Sequence, residues 1–395
     1  MKTSGAGKAF ILFSLILVTL ALLELAFRLF VFPDWRIISR VRFEQHPIYN
    51  TFQKPNLTIR RYNPPNYDVV NSTNSMGFRD QENGFENDLE SIWVSGMSNS
   101  YGGFVNDDEV FARRLEITHR YRNALLASEG HVLPNQVAVM RHLHKQGYRP
   151  QLVLLELSLN NVLRSYANGV AALKEPFFVP ETSDSGTASE RAVDGLRRRI
   201  NILWTRLISV DFIGVKLRLI NNSAVYAWLK VGINANPVLR TLTRRLGLRA
   251  DPALSDSVPV SMLSKGPSGQ RIRLVRELAD YTAMIAAWSQ SVLGAEFGVI
   301  LIPSKHQMNP AWFDRYLAFL GRDRVKFDAS VTFMSLKSAL EQRNISVLDL
   351  SGPLVRAGHF YNFPDDGHVN ADGHAVIARE LALWLKTHFK RNHDR

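Results

Sequence analysis

The chain has 395 residues, 46% of them hydrophobic, enough for one large domain or two ordinary ones. It has no cysteine, which excludes disulfides, thiolate catalysis, Cys-ligated zinc and a lipidated N-terminal cysteine. Its 48 Lys and Arg exceed 36 Asp and Glu by +12, a balance that suits an anionic neighbour such as a phospholipid surface, an acidic glycan or a nucleic acid without choosing among them.

The first predicted element is "KAFILFSLILVTLALLELAFRLFVF", residues 8–32. A buried amphipathic helix would show polar residues every turn, whereas here only Ser14 and Thr19 interrupt the apolar run before Glu24. About 20 such residues cross a bilayer's hydrocarbon, so residues 1–35 are expected to form a short tip and a transmembrane helix. The length of the run and the lack of a small-x-small site after it predict an uncleaved anchor. Glu24 and Arg28 stand i, i+4 and are expected to pair near the interface. Lys2 and Lys8 precede the span while Arg28, Arg36, Arg40 and Arg42 follow it, so charge alone does not orient it.

Residues 36–90 are polar and rich in Pro and Asn ("YNPPNYDVVNSTNSMGFRDQENG") and read as a stalk and a docking strap. From residue 91 short apolar runs at 91–95, 123–126, 152–157, 299–302 and 347–350 read as strands, alternating with helical patterns such as 135–147 and 371–389. Buried strands alternating with helices predict a three-layer α/β fold, a central parallel sheet flanked by helices, with its site at the carboxyl ends of the strands. The core falls into a first part, 91–165, and a second, 271–395. Between them, 166–270 is a basic helical insertion: residues 174–276 hold 17 Lys or Arg against 8 Asp or Glu. Its pattern suits a lid or a membrane-surface helix, and equally a helical subdomain whose basic face is solvated.

The chemistry is sought at strand ends. In "SIWVSGMSNSYGG" a strand breaks at Gly96 and Ser98 opens the next helix, a turn that exposes a hydroxyl near backbone N–H groups. Near the C-terminus "FYNFPDDGHVNADGHAVIAREL" carries Asp365 three residues before His368, with Asp366 as the fallback carboxylate. An imidazole to take and return the serine proton, and a carboxylate to fix its tautomer, complete a nucleophilic triad of Ser98, His368 and Asp365. "NALLASEGH" places Gly130 after the second strand and "LLELSLNN" places Asn160 after the third, so the N–H groups of Ser98 and Gly130 and the Asn160 amide are the candidate oxyanion donors. Lys305 and His306 follow a strand and read as satisfied loop residues. No metal-ligand spacing, Gly-rich phosphate loop or aromatic-basic nucleic-acid signature is present, so no metal, cofactor or nucleic acid is expected.

The ordered blocks "GMSNSYG", "NALLASEGH", "SLNN" and "DDGH" resemble those of the SGNH (GDSL-type) hydrolases, over 72–165 and 295–385, with lesser echoes in "NSMGFRD", "ILIPSKHQM" and "VLDLSG". The resemblance implies a flavodoxin-like sheet, the nucleophile at Ser98, oxyanion donors at Gly130 and Asn160, and the Asp and His at Asp365 and His368. With the N-terminal span, the chain looks most like bacterial membrane-anchored members related to proteins that modify exopolysaccharides. That likeness implies a single pass through the inner membrane, with the bulk periplasmic and membrane-bound polysaccharide-modification proteins as partners. Two positions depart from the family: Met97 replaces the usual Asp of the first block, and Asn161 the usual Asp of the third. Because the first Asp braces the oxyanion loops, Glu129 beside Gly130 is the candidate substitute brace.

The leading expectation is a serine ester hydrolase or acyl (acetyl) transferase acting on an extracytoplasmic glycan or other acyl-ester substrate. A silent scaffold that binds a glycan or organises a membrane assembly is the alternative that Met97 supports. A lipid-acting esterase is the one that the anchor and basic insertion support.

Overall fold

The computed structural model describes residues 5–35, 43–82, 91–158, 219, 222–246, 260–355 and 360–389. The chain divides into two compact units: an anchor unit of residues 1–41, 62–64 and 179–242, and a sheet unit of 42–61, 65–178 and 243–395.

In the anchor unit, helix α1 (Gly5–Ala26) runs on through a wider-wound turn, Phe27–Val31. Its stretch Phe10–Val31 has a mean hydropathy of 2.6 and none of the residues in its apolar window is buried in the protein, so it is long and apolar enough to span a membrane. The expected Glu24 and Arg28 pair forms, with Arg28 Nε donating to Glu24 Oε1 at 2.8 Å.

The sheet unit is built on five parallel strands, β5 (Ile92–Ser95), β6 (Asn123–Leu125), β7 (Leu152–Ser158), β8 (Glu296–Ile302) and β9 (Ser346–Asp349), in the order β6-β5-β7-β8-β9. All five strands coincide with predicted runs to within a few residues. Counted from the first core strand the order is 2-1-3-4-5, a doubly wound arrangement whose switch point lies between β5 and β7. Side-chain alternation divides the strands between two cores. Trp93, Val153, Leu155, Val299 and Leu301 face one, while Ile92, Val94, Leu152, Leu154, Ile300 and Ile302 face the other. Both faces are apolar because helices cover both. Leu133–Lys145, Gly269–Trp288, Pro310–Phe319 and Val331–Glu341 supply residues to the first core; Phe111–His119 and Ala371–His388 supply the second.

Of the segment read as a stalk and a docking strap, 36–90, the structure describes 43–82. Two-stranded sheets β1–β2 (Phe43–His46 and Asn50–Gln53) and β3–β4 (Thr58–Asn63 and Tyr67–Ser72) form there. Tyr49, Phe52 and Phe78 are buried in the first core. Their aromatic area is what binds this polar-looking segment, since burying a ring outweighs the many exposed Asn and Pro around it. Of the basic insertion, α5 (Ala224–Ala235) and α6 (Pro237–Arg245) are helical, while 166–218, 220–221 and 247–259 lie outside the described residues.

Candidate active site

Strand β5 ends at Ser95, and Gly96 carries the chain into the turn before helix α2 (Ser98–Tyr101). A Cβ on Gly96 would stand 2.5 Å from Ser100 Oγ and 2.7 Å from Glu156 Oε2, so only glycine fits. The half-buried Ser98 faces His368, whose Nε2 lies 2.9 Å from Ser98 Oγ. On the other side of the ring His368 Nδ1 meets Asp366 Oδ1 at 2.5 Å, and the same oxygen accepts the His368 backbone N–H at 2.8 Å. Hydroxyl, imidazole and carboxylate thus form one chain. The side chains of His368 and Asp366 are 23% and 24% exposed, open enough for a substrate to reach them.

The carboxylate is therefore Asp366, which corrects the expectation for Asp365. Two residues back from His368, Asp366 can reach both its backbone N–H and its ring. Asp365 faces Arg244 Nη2 at 3.0 Å instead, and its N–H donates to Asn66 Oδ1 at 2.9 Å. Burial works against ionising Asp366, but the neighbouring His368, its hydrogen bonds and the Lys305 charge outweigh it and hold the carboxyl below its ordinary value. It is thus ionised at neutral pH, as an orienting carboxylate must be.

The brace of the serine turn is Glu156, which sequence reasoning missed. The register sets Ser95 opposite Leu155, so the next residue on β7 lies beside the Gly96 turn. There Glu156, fully buried, accepts the Met97 N–H through Oε2 at 2.8 Å. The backbone at position 97 is thus held from the neighbouring strand, although Met97 itself has no side-chain acceptor. Burial raises the Glu156 pKa, more than the hydrogen bonds from Met97 and Ser100 and the His368 charge lower it. The signal was available: one carboxylate inside the otherwise apolar, wholly buried strand LVLLELS has to be partnered.

Glu129, the expected brace, is turned inward but bonds elsewhere. Its Oε1 accepts from Arg61 Nη1 at 2.6 Å, in a pair only 7% and 13% exposed. The same nitrogen donates to the Gly103 carbonyl. Burial opposes the Arg61 charge, yet Glu129 keeps it above its ordinary value. Through Arg61, Glu129 therefore supports the loop after α2. Arg79, from the "NSMGFRD" stretch, clamps that loop as well. Its guanidinium donates to the carbonyls of Tyr101 at 2.9 Å, Val105 at 2.7 Å and Gly102, and pairs with Asp107 at 2.7 Å.

Three further groups tie the triad loop down. Lys305, only 2% exposed, donates through Nζ to the carbonyls of Phe363 at 2.5 Å, Pro364 at 3.0 Å and Asp366 at 3.0 Å, and lies 3.6 Å from the Trp312 ring centroid. Lys305 opens a short helix, Lys305–Met308, and is not in a loop; the loop whose carbonyls it holds carries Asp366. Asn99 beside Ser98 accepts from Val369 N at 3.3 Å and donates to Ser158 Oγ at 3.1 Å, linking α2, the end of β7 and the His368 segment. The Phe104 ring packs against the His368 ring with centroids 4.0 Å apart and planes tilted by 33°.

Gly130 lies in the turn after β6 with φ 79°, in the left-handed region, with open space where a Cβ would point. Asn160 and Asn161 lie outside the described residues. Among the described residues no group of His, Cys, Asp and Glu could hold a metal ion.

No family model and no curated protein matches the chain. Among solved structures, one crystal structure is 10% identical to the chain, covering 76% of this chain and 97% of its own, with a TM-score of 0.31. That likeness is too slight to carry a functional argument.

Proposed function

We propose that the protein is a membrane-anchored serine esterase or O-acyl(acetyl)transferase of the SGNH type, acting on an extracytoplasmic glycan through an acyl-Ser98 intermediate. The observation that carries the reading is the continuous chain from Ser98 Oγ through His368 to Asp366, at 2.9 and 2.5 Å. Three scattered residues with separate structural roles would have no reason to align in this order at the switch point of a parallel sheet.

The arrangement supports the following chemistry. Ser98 Oγ attacks the acyl carbonyl carbon while its proton passes to His368 Nε2; Asp366 keeps Nδ1 protonated and stabilises the imidazolium. The carbonyl oxygen becomes an oxyanion, for which the Ser98 and Gly130 N–H groups and the Asn160 amide are the assigned donors. When the tetrahedral centre collapses, the C–O bond to the leaving alcohol breaks and Nε2 returns the proton to that alcohol. Water or a sugar hydroxyl then repeats the sequence on acyl-Ser98, giving hydrolysis or transfer from one intermediate. The apolar N-terminal helix supports a membrane anchor; the inner membrane and a periplasmic sheet unit belong to the proposal through the family resemblance.

The test is to incubate the detergent-solubilised full chain with an activated acetate ester, quench in acid and map the acetyl group by peptide mass. Acetyl-Ser98 that disappears on adding acceptor glycan, with acetate appearing on the sugar, supports transfer; its disappearance with free acetate alone supports hydrolysis. Acetylation spread over lysines with none on Ser98 would overturn the reading.

A further inference from the structure

The end of the apolar span is fastened to a second helix, and that sets the depth at which the second helix lies. Glu24 caps the start of α5: its carboxylate accepts from Ala224 N at 2.7 Å, Ser223 Oγ at 2.8 Å and Val225 N at 3.3 Å. One turn on, the Phe27 ring meets Trp228 edge-on with centroids 5.4 Å apart. Phe27 and Phe32 also pack against the buried cluster of Trp35, Ala224 and Ala227. Phe27 belongs to the apolar stretch Phe10–Val31. At a rise of about 1.5 Å per residue that stretch is about as long as the ~30 Å hydrocarbon layer, so its last two turns reach the boundary with the headgroups. The first turns of α5, bonded to those turns, are held at the same level.

The outward side chains of this helix and the next suit that level and not water. Trp228 is 45% exposed, Leu229 47%, Val238 71% and Leu242 48%. From residue 222 to 246 the chain carries Lys230, Arg240, Arg244 and Arg245 and no acidic residue. Tryptophan is enriched where hydrocarbon meets headgroups, and helices with apolar residues beside Lys and Arg lie along anionic surfaces.

We infer that α5 and the first turns of α6 form an interfacial element lying in the anionic headgroup layer of the bilayer that the span crosses. Trp228, Leu229, Val238 and Leu242 enter the acyl boundary, and Lys230 and Arg240 meet lipid phosphates. The inference rests on reading the first helix as a membrane span. It assigns the basic insertion a second hold on the membrane, one that stops the chain pivoting about a single helix.

The cysteine-free chain makes the test direct. Single variants Leu229→Cys, Val238→Cys, Leu17→Cys in the span and Phe319→Cys on the sheet unit are each labelled with an environment-sensitive fluorophore. The full chain is then reconstituted in vesicles of phosphatidylethanolamine and phosphatidylglycerol. Nitroxide lipids carrying the quencher near the headgroup should roughly halve the emission at 229 and 238, because an interfacial helix sinks its apolar face about 5–10 Å. Deep nitroxides should act mainly at 17, and the label at 319 serves as the reference outside the anchor unit. Quenching at 229 and 238 should weaken in phosphatidylcholine alone; unchanged quenching there would overturn the anionic-lipid assignment. Emission at 229 and 238 that follows 319 while 17 is quenched would overturn the interfacial element and leave the span intact. No quenching at 17 would overturn both.

Discussion

At the scale of single residues, the account turns on which carboxylate serves His368. Asp366→Asn should lower acyl turnover by up to ~10,000-fold, since an amide there favours the wrong imidazole tautomer. Asp365→Asn should cost far less, because Asp365 faces Arg244. Steady-state turnover of an activated ester by both variants checks the assignment; equal losses would contradict it. Glu156 offers a second contrast. Glu156→Gln keeps an oxygen to accept the Met97 N–H, whereas Glu156→Leu leaves a buried donor unpaired, a loss of about 1–3 kcal/mol. The expected outcome is a folded Gln variant that keeps most of its activity, and a Leu variant losing about tenfold or more in kcat, as when a preorganising contact is removed. Thermal melts beside the kinetics separate unfolding from misplacement of the turn.

A third residue gives a pH dependence. Asp80 accepts the Leu125 N–H at 2.8 Å and the Gln81 N–H at 2.8 Å. Burial nevertheless pushes its carboxyl up to about 7 from an ordinary 3.8, more than those bonds lower it. Between these values the folded state binds more protons than the unfolded one, so Asp80's contribution is full below about pH 4 and is lost as pH rises to 7. The stability difference between wild type and Asp80→Asn, measured by denaturant titration across pH 4–8, should therefore drift against the wild type as pH rises. A flat difference would contradict the raised carboxyl.

Among the elements, the five strands and the anchor helix were legible because their apolar runs are unbroken and bounded by Gly, Asn and Pro. The order of the blocks pointed to Ser98 and His368, since a parallel sheet brings its strand ends to one edge. The adjacent Asp365 and Asp366 could not be ranked from sequence: which one meets the ring depends on a tight turn tied by Asn362, whose amide donates to the Gly367 carbonyl at 2.9 Å. The hairpins of 43–72 were read only as a stalk and a docking strap, without strands, because their core contacts rest on a few aromatics spaced too irregularly to show a period. Glu156 was passed over because an apolar run was counted as a strand without asking what its one carboxylate would bond. Lys305 belongs to this scale too, as its ammonium holds three carbonyls of one loop. Lys305→Met should leave those carbonyls short of a donor and lower stability on the order of 3 kcal/mol. Its kcat should fall more than its KM rises, since the loop positions the base and not the substrate. A variant with wild-type kcat would show that the loop holds its shape without the lysine.

The whole molecule comprises a sheet unit and an anchor unit whose first helix is long and apolar enough to span a membrane. The full chain should stay with membranes after carbonate washing, and release into the supernatant would contradict the anchor. Met97 posed the sharpest question for activity, and in the structure the backbone at that position is held from the adjacent strand by Glu156. The question has one direct measurement, labelling of the folded full chain by a serine-directed fluorophosphonate followed by peptide mapping. The account predicts label on Ser98 in the wild type, little or none in His368→Ala, and none in Ser98→Ala. An unlabelled Ser98 in folded wild-type protein, or labelling indifferent to His368, would contradict it.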